Sequence, residues 1–251
     1  ALLRALDFIK DLEPAIVRVY DMRIIELAAV EGNRPDLLEQ SPDDGWLLEV
    51  SFDFRKGKTE RKIQQCLGVL PPGTFAVAED KTNSVDFREF RNALLSFLNS
   101  TSDDERIAAL DDVYIPSYKF ADFVTDLQVL EETLGITLPL FGSFATSNYS
   151  VRPSIDCSSL AGRQLLMSFL RQYSRLVVKH GGSLTGGSPE GRVKSLPGTQ
   201  VLPANEQQLY QEIKTAFDPQ NILNPGVKLN VDTKDTIRHL RTTARTGLIT
   251  P

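Results

Sequence analysis

Histidine is nearly missing from this chain: only His180 and His239 occur in 251 residues. Imidazole is the commonest general base and metal ligand, so the scarcity leaves little material for either role. No HxxxH, HExxH or CxxC spacing offers a metal site, and no Ser/His/Asp or Cys/His set can be assembled. Cysteine is as scarce. Cys66 and Cys157 are too few for a disulfide framework, which predicts a reducing, cytoplasmic setting. No run approaches the roughly 18 apolar residues that a bilayer crossing demands, and no signal peptide is recognisable. Basic residues number 28 against 33 acidic ones, a net charge of -5. That balance lacks the concentrated positive surface that nucleic-acid phosphates require.

What the chain does have is ordinary globular material: 41% hydrophobic and 24% charged residues, enough for one large domain or two small ones. Residues 1–30 read as two helical segments, the second following Pro14, a residue tolerated in a first helical turn. Trp46 to Phe54 alternates, with Trp46, Leu48, Val50, Phe52 and Phe54 on one side, the period of a strand with one buried face. Lys58 to Leu70 reads as a helix, Pro71 to Gly73 as a turn and Thr74 to Ala78 as a short strand. Asp86 to Leu98 is an amphipathic helix, Arg106 to Ile115 a strand ended by Pro116, and Tyr118 to Leu134 a helix stopped by Gly135. Ile136 to Phe144 and Asn148 to Arg152 form a hairpin across Ala145, Thr146 and Ser147. Leu160 to Lys179 is a long helix. The sum is an α+β fold, an antiparallel sheet covered by helices, in the manner of ferredoxin-like split units.

The most distinctive stretch is Gly181 to Lys194, GGSLTGGSPEGRVK, whose glycines suit either a structural turn or a loop that approaches a ligand or a second domain. His180, at the end of the preceding basic helix, suits the helix dipole, and His239 sits in a polar tail. Arg171, Arg175 and Lys179 recur every four residues, a solvated stripe or a surface for an acidic partner. The carboxylates Asp103, Asp104, Glu105, Asp111 and Asp112 diverge as sequence neighbours and read as surface. These features identify no catalytic residue.

The order of local signatures resembles the C-terminal domain of FAD-linked oxidases of the glycolate oxidase, D-lactate dehydrogenase and D-2-hydroxyglutarate dehydrogenase type. It rests on EPAIVRVYDMRIIEL (Glu13 to Leu27), DVYIP (Asp112 to Pro116), FGSFATSNYSVRP (Phe141 to Pro153), GGSLTGGSPEGRVK and FDPQNILNPGVKL (Phe217 to Leu229). The resemblance implies a domain over residues 1–229 that caps a flavin and shapes a substrate pocket. FAD itself would be bound mainly by an N-terminal half that is absent here, in keeping with the start at Ala1. The partner implied is an FAD-binding domain or subunit, and the substrate a 2-hydroxy acid or related alcohol. Residues 230–251 run past the family's usual end and read as a mobile polar tail or linker.

The same resemblance assigns Arg91, Arg152 and Arg192 to substrate carboxylate binding and the Asn224 to Gly226 turn to the flavin side. It also exposes departures. Metal-using members carry histidines where this chain has Ser143, Ser150 and Ser188, and a lysine that helps hold substrate in some members falls at Leu110. Hydroxyls are poor ligands for a divalent metal, so no metal is expected. A degenerate, non-catalytic domain that serves assembly with a flavoprotein partner is the alternative.

Overall fold

The computed structural model describes residues 2–31, 45–53, 58–71, 92, 94, 112–153, 155–187 and 191–238. They fall into two compact units. One comprises Ala1–Ser102 and Pro139–Ser147, the other Asp103–Leu138 and Asn148–Pro251.

The first unit contains helix α1 (Leu2–Asp11), strand β1 (Ile16–Asp21), helix α2 (Met22–Glu31), strand β2 (Trp46–Ser51), helix α3 (Lys58–Gly68) and strand β4 (Leu140–Ser143). β1 is central and antiparallel to both neighbours, with Val17 opposite Val50, Tyr20 opposite Leu47, and Tyr20 opposite Phe141. The expected second N-terminal helix is therefore corrected: residues 16–21 are a strand, and helix resumes only at Met22. The β-branched run Ile16, Val17, Val19 followed by Tyr20 favours the pleat, and the break at Glu13 and Pro14 sets it apart from α1. Asp21 closes the strand and opens α2, its carboxylate accepting the Arg23 amide at 3.0 Å and the Arg23 guanidinium at 2.9 Å.

Tyr20, Met22, Ile24, Ile25, Ala28, Ala29 and Leu94 form the core here, with Leu47 and Phe141 packed against it. The buried face of β2 differs from the alternation expected. Leu47 is half-buried like Trp46, Leu48 and Val50, and the one buried residue of the strand is Glu49. Glu49 is tolerated because Arg18 donates to it at 2.9 Å and the Tyr20 hydroxyl at 3.3 Å. The strand expected at 74–78 lies outside the described residues. So does nearly all of the helix expected at 86–98.

The second unit holds strand β3 (Val113–Tyr114), a 3-10 turn (Ser117–Lys119), helix α4 (Phe120–Leu134), strand β5 (Asn148–Val151) and helix α5 (Leu160–Lys179). Three helices follow: α6 (Gly191–Val201), α7 (Ala204–Phe217) and α8 (Thr233–Arg238). β3 and β5 pair antiparallel. α4 buries Phe120, Phe123, Val124, Leu127 and Leu130, and α5 buries Leu166, Phe169, Leu170, Tyr173 and Val177, both at helical spacing. Phe123 meets Tyr173 edge-on at 6.2 Å, and Phe120 stacks on Tyr149 of β5 at 4.3 Å. Each such side chain contributes roughly 1.5–3 kcal/mol by leaving water. The α+β architecture with antiparallel strands and covering helices is as the sequence predicts.

Candidate functional site

The glycine-rich stretch divides in two. Residues 181–187 are a loop, while Gly191 already begins α6, so the loop expected to reach Lys194 is shorter than its composition implies. The loop lies along the free edge of β3. Tyr114 donates its amide to the Ser183 carbonyl at 2.8 Å and accepts from Ser183 at 3.0 Å. Gly186 donates to the Asp112 carbonyl at 2.6 Å and Gly187 to the Asp112 carboxylate at 2.7 Å. A Cβ on Gly186 would stand 2.5 Å from Asp112 Oδ1, and one on Gly182 2.9 Å from Ile115 and Val177 methyl carbons. Glycine is thus needed for backbone approach to β3, not to cradle a phosphate: the amides are already spent and a carboxylate sits among them. This loop covers a sheet edge.

At the helix end before the loop, His180 is buried and its Nε2 lies 2.8 Å from Asp126, which also receives Lys179 at 2.7 Å. Hydrogen bonds from Lys179 and then His180 hold the Asp126 carboxyl below the usual carboxylate range. The pair ties α4 to α5, and Phe123 faces the imidazole edge-on at 5.8 Å. Both cysteines are free and buried, and burial pushes the Cys66 thiol up.

Two of the sequence-assigned groups do come together. Arg192, on the first turn of α6, donates to Asp235 of α8 at 2.8 Å. Gly226 sits against this pair, its Cβ position 3.5 Å from the guanidinium and 3.7 Å from the carboxylate. The NPG turn that carries Gly226 has left-handed backbone at Asn224 (φ 45°), Gly226 (φ 71°) and Lys228 (φ 64°). It is pinned from within by Val227 donating to Asn224 and from α6 by Ser195, whose hydroxyl accepts the Lys228 amide at 2.8 Å. The Lys228 ammonium lies 4.7 Å from the Tyr210 ring. Asp218, in the FDP segment ahead of the turn, accepts from Lys214 and from the amides of Ile222 and Leu223, each at 2.9 Å. These bonds, the Lys214 one foremost, bring its carboxyl down to about 2.

Arg152 follows β5 and is half-buried, and Arg91, Leu110 and Ser188 lie outside the described residues. Ser150 accepts the Asp112 amide at 3.0 Å and Ser143 the Thr146 amide at 3.3 Å. The Ser143 hydroxyl therefore serves a local turn and that of Ser150 a bond across to the residue before β3, and neither fits a metal. Among the described residues no group of three or more His, Cys, Asp or Glu could hold one. Sequence reasoning left residues 195–216 unassigned, although Pro203 ahead of Glu206 and the spacing of Leu209, Ile213 and Phe217 signal a helix start and an amphipathic face. Within the stretch 230–251 expected as a polar tail or linker, α8 is held to α6 by Asp235 and buries Thr236.

The family described as FAD linked oxidases, C-terminal domain, matches residues 1–227. The chain belongs to that family. Its curated relatives include D-2-hydroxyglutarate dehydrogenase of Haemophilus influenzae, 28% identical over 130 residues that cover 51% of this chain and 13% of that protein. D-lactate dehydrogenase of Archaeoglobus fulgidus is 28% identical over 184 residues, 72% of this chain and 38% of that protein. The chain thus spans well under half the length of the curated relatives it matches. Among solved structures, 4-ethylphenol oxidase from Gulosibacter chungangensis shares the fold with a TM-score of 0.55 at 12% identity, over 85% of this chain and 47% of that one.

Proposed function

We propose that this chain is the substrate-side domain of an FAD-dependent oxidoreductase that oxidises a 2-hydroxy acid or a related alcohol. The family match over residues 1–227, with relatives named as 2-hydroxy acid dehydrogenases, carries the reading. FAD would be held mainly by a domain outside these 251 residues, and when bound it supplies the hydride acceptor. Residues 181–187 of the glycine stretch do not fit a phosphate, the amides of Ser183, Gly186 and Gly187 being bonded to Tyr114 and Asp112. The Asn224 to Gly226 turn fits a lesser role, a rigid edge presented toward the cofactor.

For the substrate, Arg192 is the best-supported anchor. Its guanidinium already holds a carboxylate, that of Asp235, in a half-exposed position from which a substrate carboxylate can displace it. Arg91 and Arg152 complete the proposed carboxylate set. A cytoplasmic setting is proposed from the two free, buried cysteines.

The test is an anaerobic screen in which 2-hydroxy acids are added to the complete flavoprotein and loss of flavin colour is followed. Arg192→Met is expected to raise the KM for the acid that bleaches. Asp235→Asn, which breaks the same ion pair but keeps the guanidinium, is expected to leave KM unchanged or lower it. Bleaching by no acid in the screen would remove this reading. It would favour the second one, an assembly domain without chemistry, for which the Ser143 and Ser150 hydroxyls, both engaged by backbone amides, speak.

A further inference from the structure

The buried residue of β2 is a carboxylate, Glu49, on the sheet face where Leu47, Tyr20 and Phe141 stand opposite one another. Register sets Glu49, Arg18 and Ser143 in one row across β2, β1 and β4, all on that face. Arg18 Nη1 donates to Glu49 Oε2 at 2.9 Å, and the Tyr20 hydroxyl donates to the same oxygen at 3.3 Å. Taking a carboxylate out of water can cost more than its ion pair returns, so sheet stability alone does not account for the trio. What it does is fix a guanidinium. Arg18 sits on the central strand of the first unit with its side chain 31% exposed. Its Nε and Nη2 have no partner among the described residues. On the other side of the row, Ser143 accepts the Thr146 amide at 3.3 Å, and its own hydroxyl proton has no acceptor among the described residues. Residues directly opposite on one face stand about 4.5–5.5 Å apart at Cβ, a gap that one oxyanion bridges.

We propose that Arg18 and Ser143 form an oxyanion site on the first unit and that its ligand is the carboxylate of a small organic acid. The charges choose carboxylate over phosphate. Glu49 already cancels the Arg18 charge within the row, which leaves donors but no net positive charge to hold a dianion. A planar carboxylate matches the two parallel N–H bonds of Nε and Nη2, with the hydroxyl as a third donor. The site uses none of Arg91, Arg152 and Arg192 and needs no flavin, so it goes beyond the functional reading above.

Phenylglyoxal condenses with accessible guanidinium groups, and the modified arginine is located by peptide mass spectrometry. The complete natural polypeptide is treated at constant ionic strength with acetate, with acetamide, its uncharged counterpart of similar shape, and with inorganic phosphate. Arg175, exposed on α5 and without a partner among the described residues, is the reference. Acetate is expected to slow modification of Arg18 saturably to about a tenth, with acetamide without effect and Arg175 unchanged. Ser143→Ala is expected to need roughly tenfold more acetate for the same protection. An Arg18 rate that acetate leaves unchanged would overturn the proposal, as would equal protection by acetamide. Protection by phosphate and not by acetate would overturn it in favour of a phosphate ligand, and undiminished protection in Ser143→Ala would break up the two-residue site. Neither acetate nor the label reports on flavin, so the result stands whether or not the polypeptide proves to bind FAD.

Discussion

Helices α5 and α7 carry the same kind of pattern and put it to opposite use. α5 turns Leu166, Phe169, Leu170, Tyr173 and Val177 inward, and α7 leaves Leu209, Ile213 and Phe217 in water. The difference lies in what each meets. α5 has the aromatic face of α4 opposite it, with Phe123 against Tyr173, whereas α7 is held by Gln207, Tyr210 and Lys214 on its polar side. An amphipathic stripe announces an interface but not the partner. Among the described residues one stripe finds its partner and the other does not.

Substitutions on the two helices sharpen the contrast. Phe169→Ala opens a cavity between Tyr173 and its neighbours and is expected to cost about 3–5 kcal/mol of unfolding free energy, read by denaturant melts. Gly186→Ala comes next. Its methyl group would meet the side-chain oxygens of Asp112 and Asn148, which can turn away, and the Asp112 backbone carbonyl at 2.9 Å, which cannot, so the loop shifts from β3 at a cost of about 1–3 kcal/mol.

Asp218 links α7 to the NPG turn and makes that attachment acid-sensitive. Its folded-state carboxyl is lowered to about 2, so its contribution is complete above the unfolded value near ~3.9 and is lost as pH falls from there toward 2. Stability measured across that window should fall less steeply in Asp218→Asn than in the natural chain. The smallest effect belongs to the exposed stripe of α7: Ile213→Ser should change the stability of residues 1–251 by no more than about 0.5 kcal/mol. A loss there as large as that of Phe169→Ala would mean that α7 is buried after all, and the comparison would fail.

The sequence made α5 and its end at Gly181 legible because local periodicity and a helix stop coincide. Residues 16–21 escape a periodicity argument because β-branched residues between two helices leave no signature longer than six residues, too short to separate from a helical turn. The role of the glycine loop was hidden for a different reason. Its partners, Asp112 and Tyr114, lie about 70 residues away, and the spent amides only become visible once β3 is in place. At the candidate site, resemblance pointed to Arg192 and Gly226 separately, and the fold sets them side by side with Asp235 between α6 and α8. Arg91 lies outside the described residues, and Arg152 stands apart from that cluster in sequence.

The central claim is that this domain works with a flavin held by another one. It is tested most directly by the visible absorbance of the complete natural polypeptide after purification and gel filtration. The account predicts flavin absorbance that co-elutes with the protein at about one equivalent per chain. A colourless polypeptide that takes up no added FAD would contradict it.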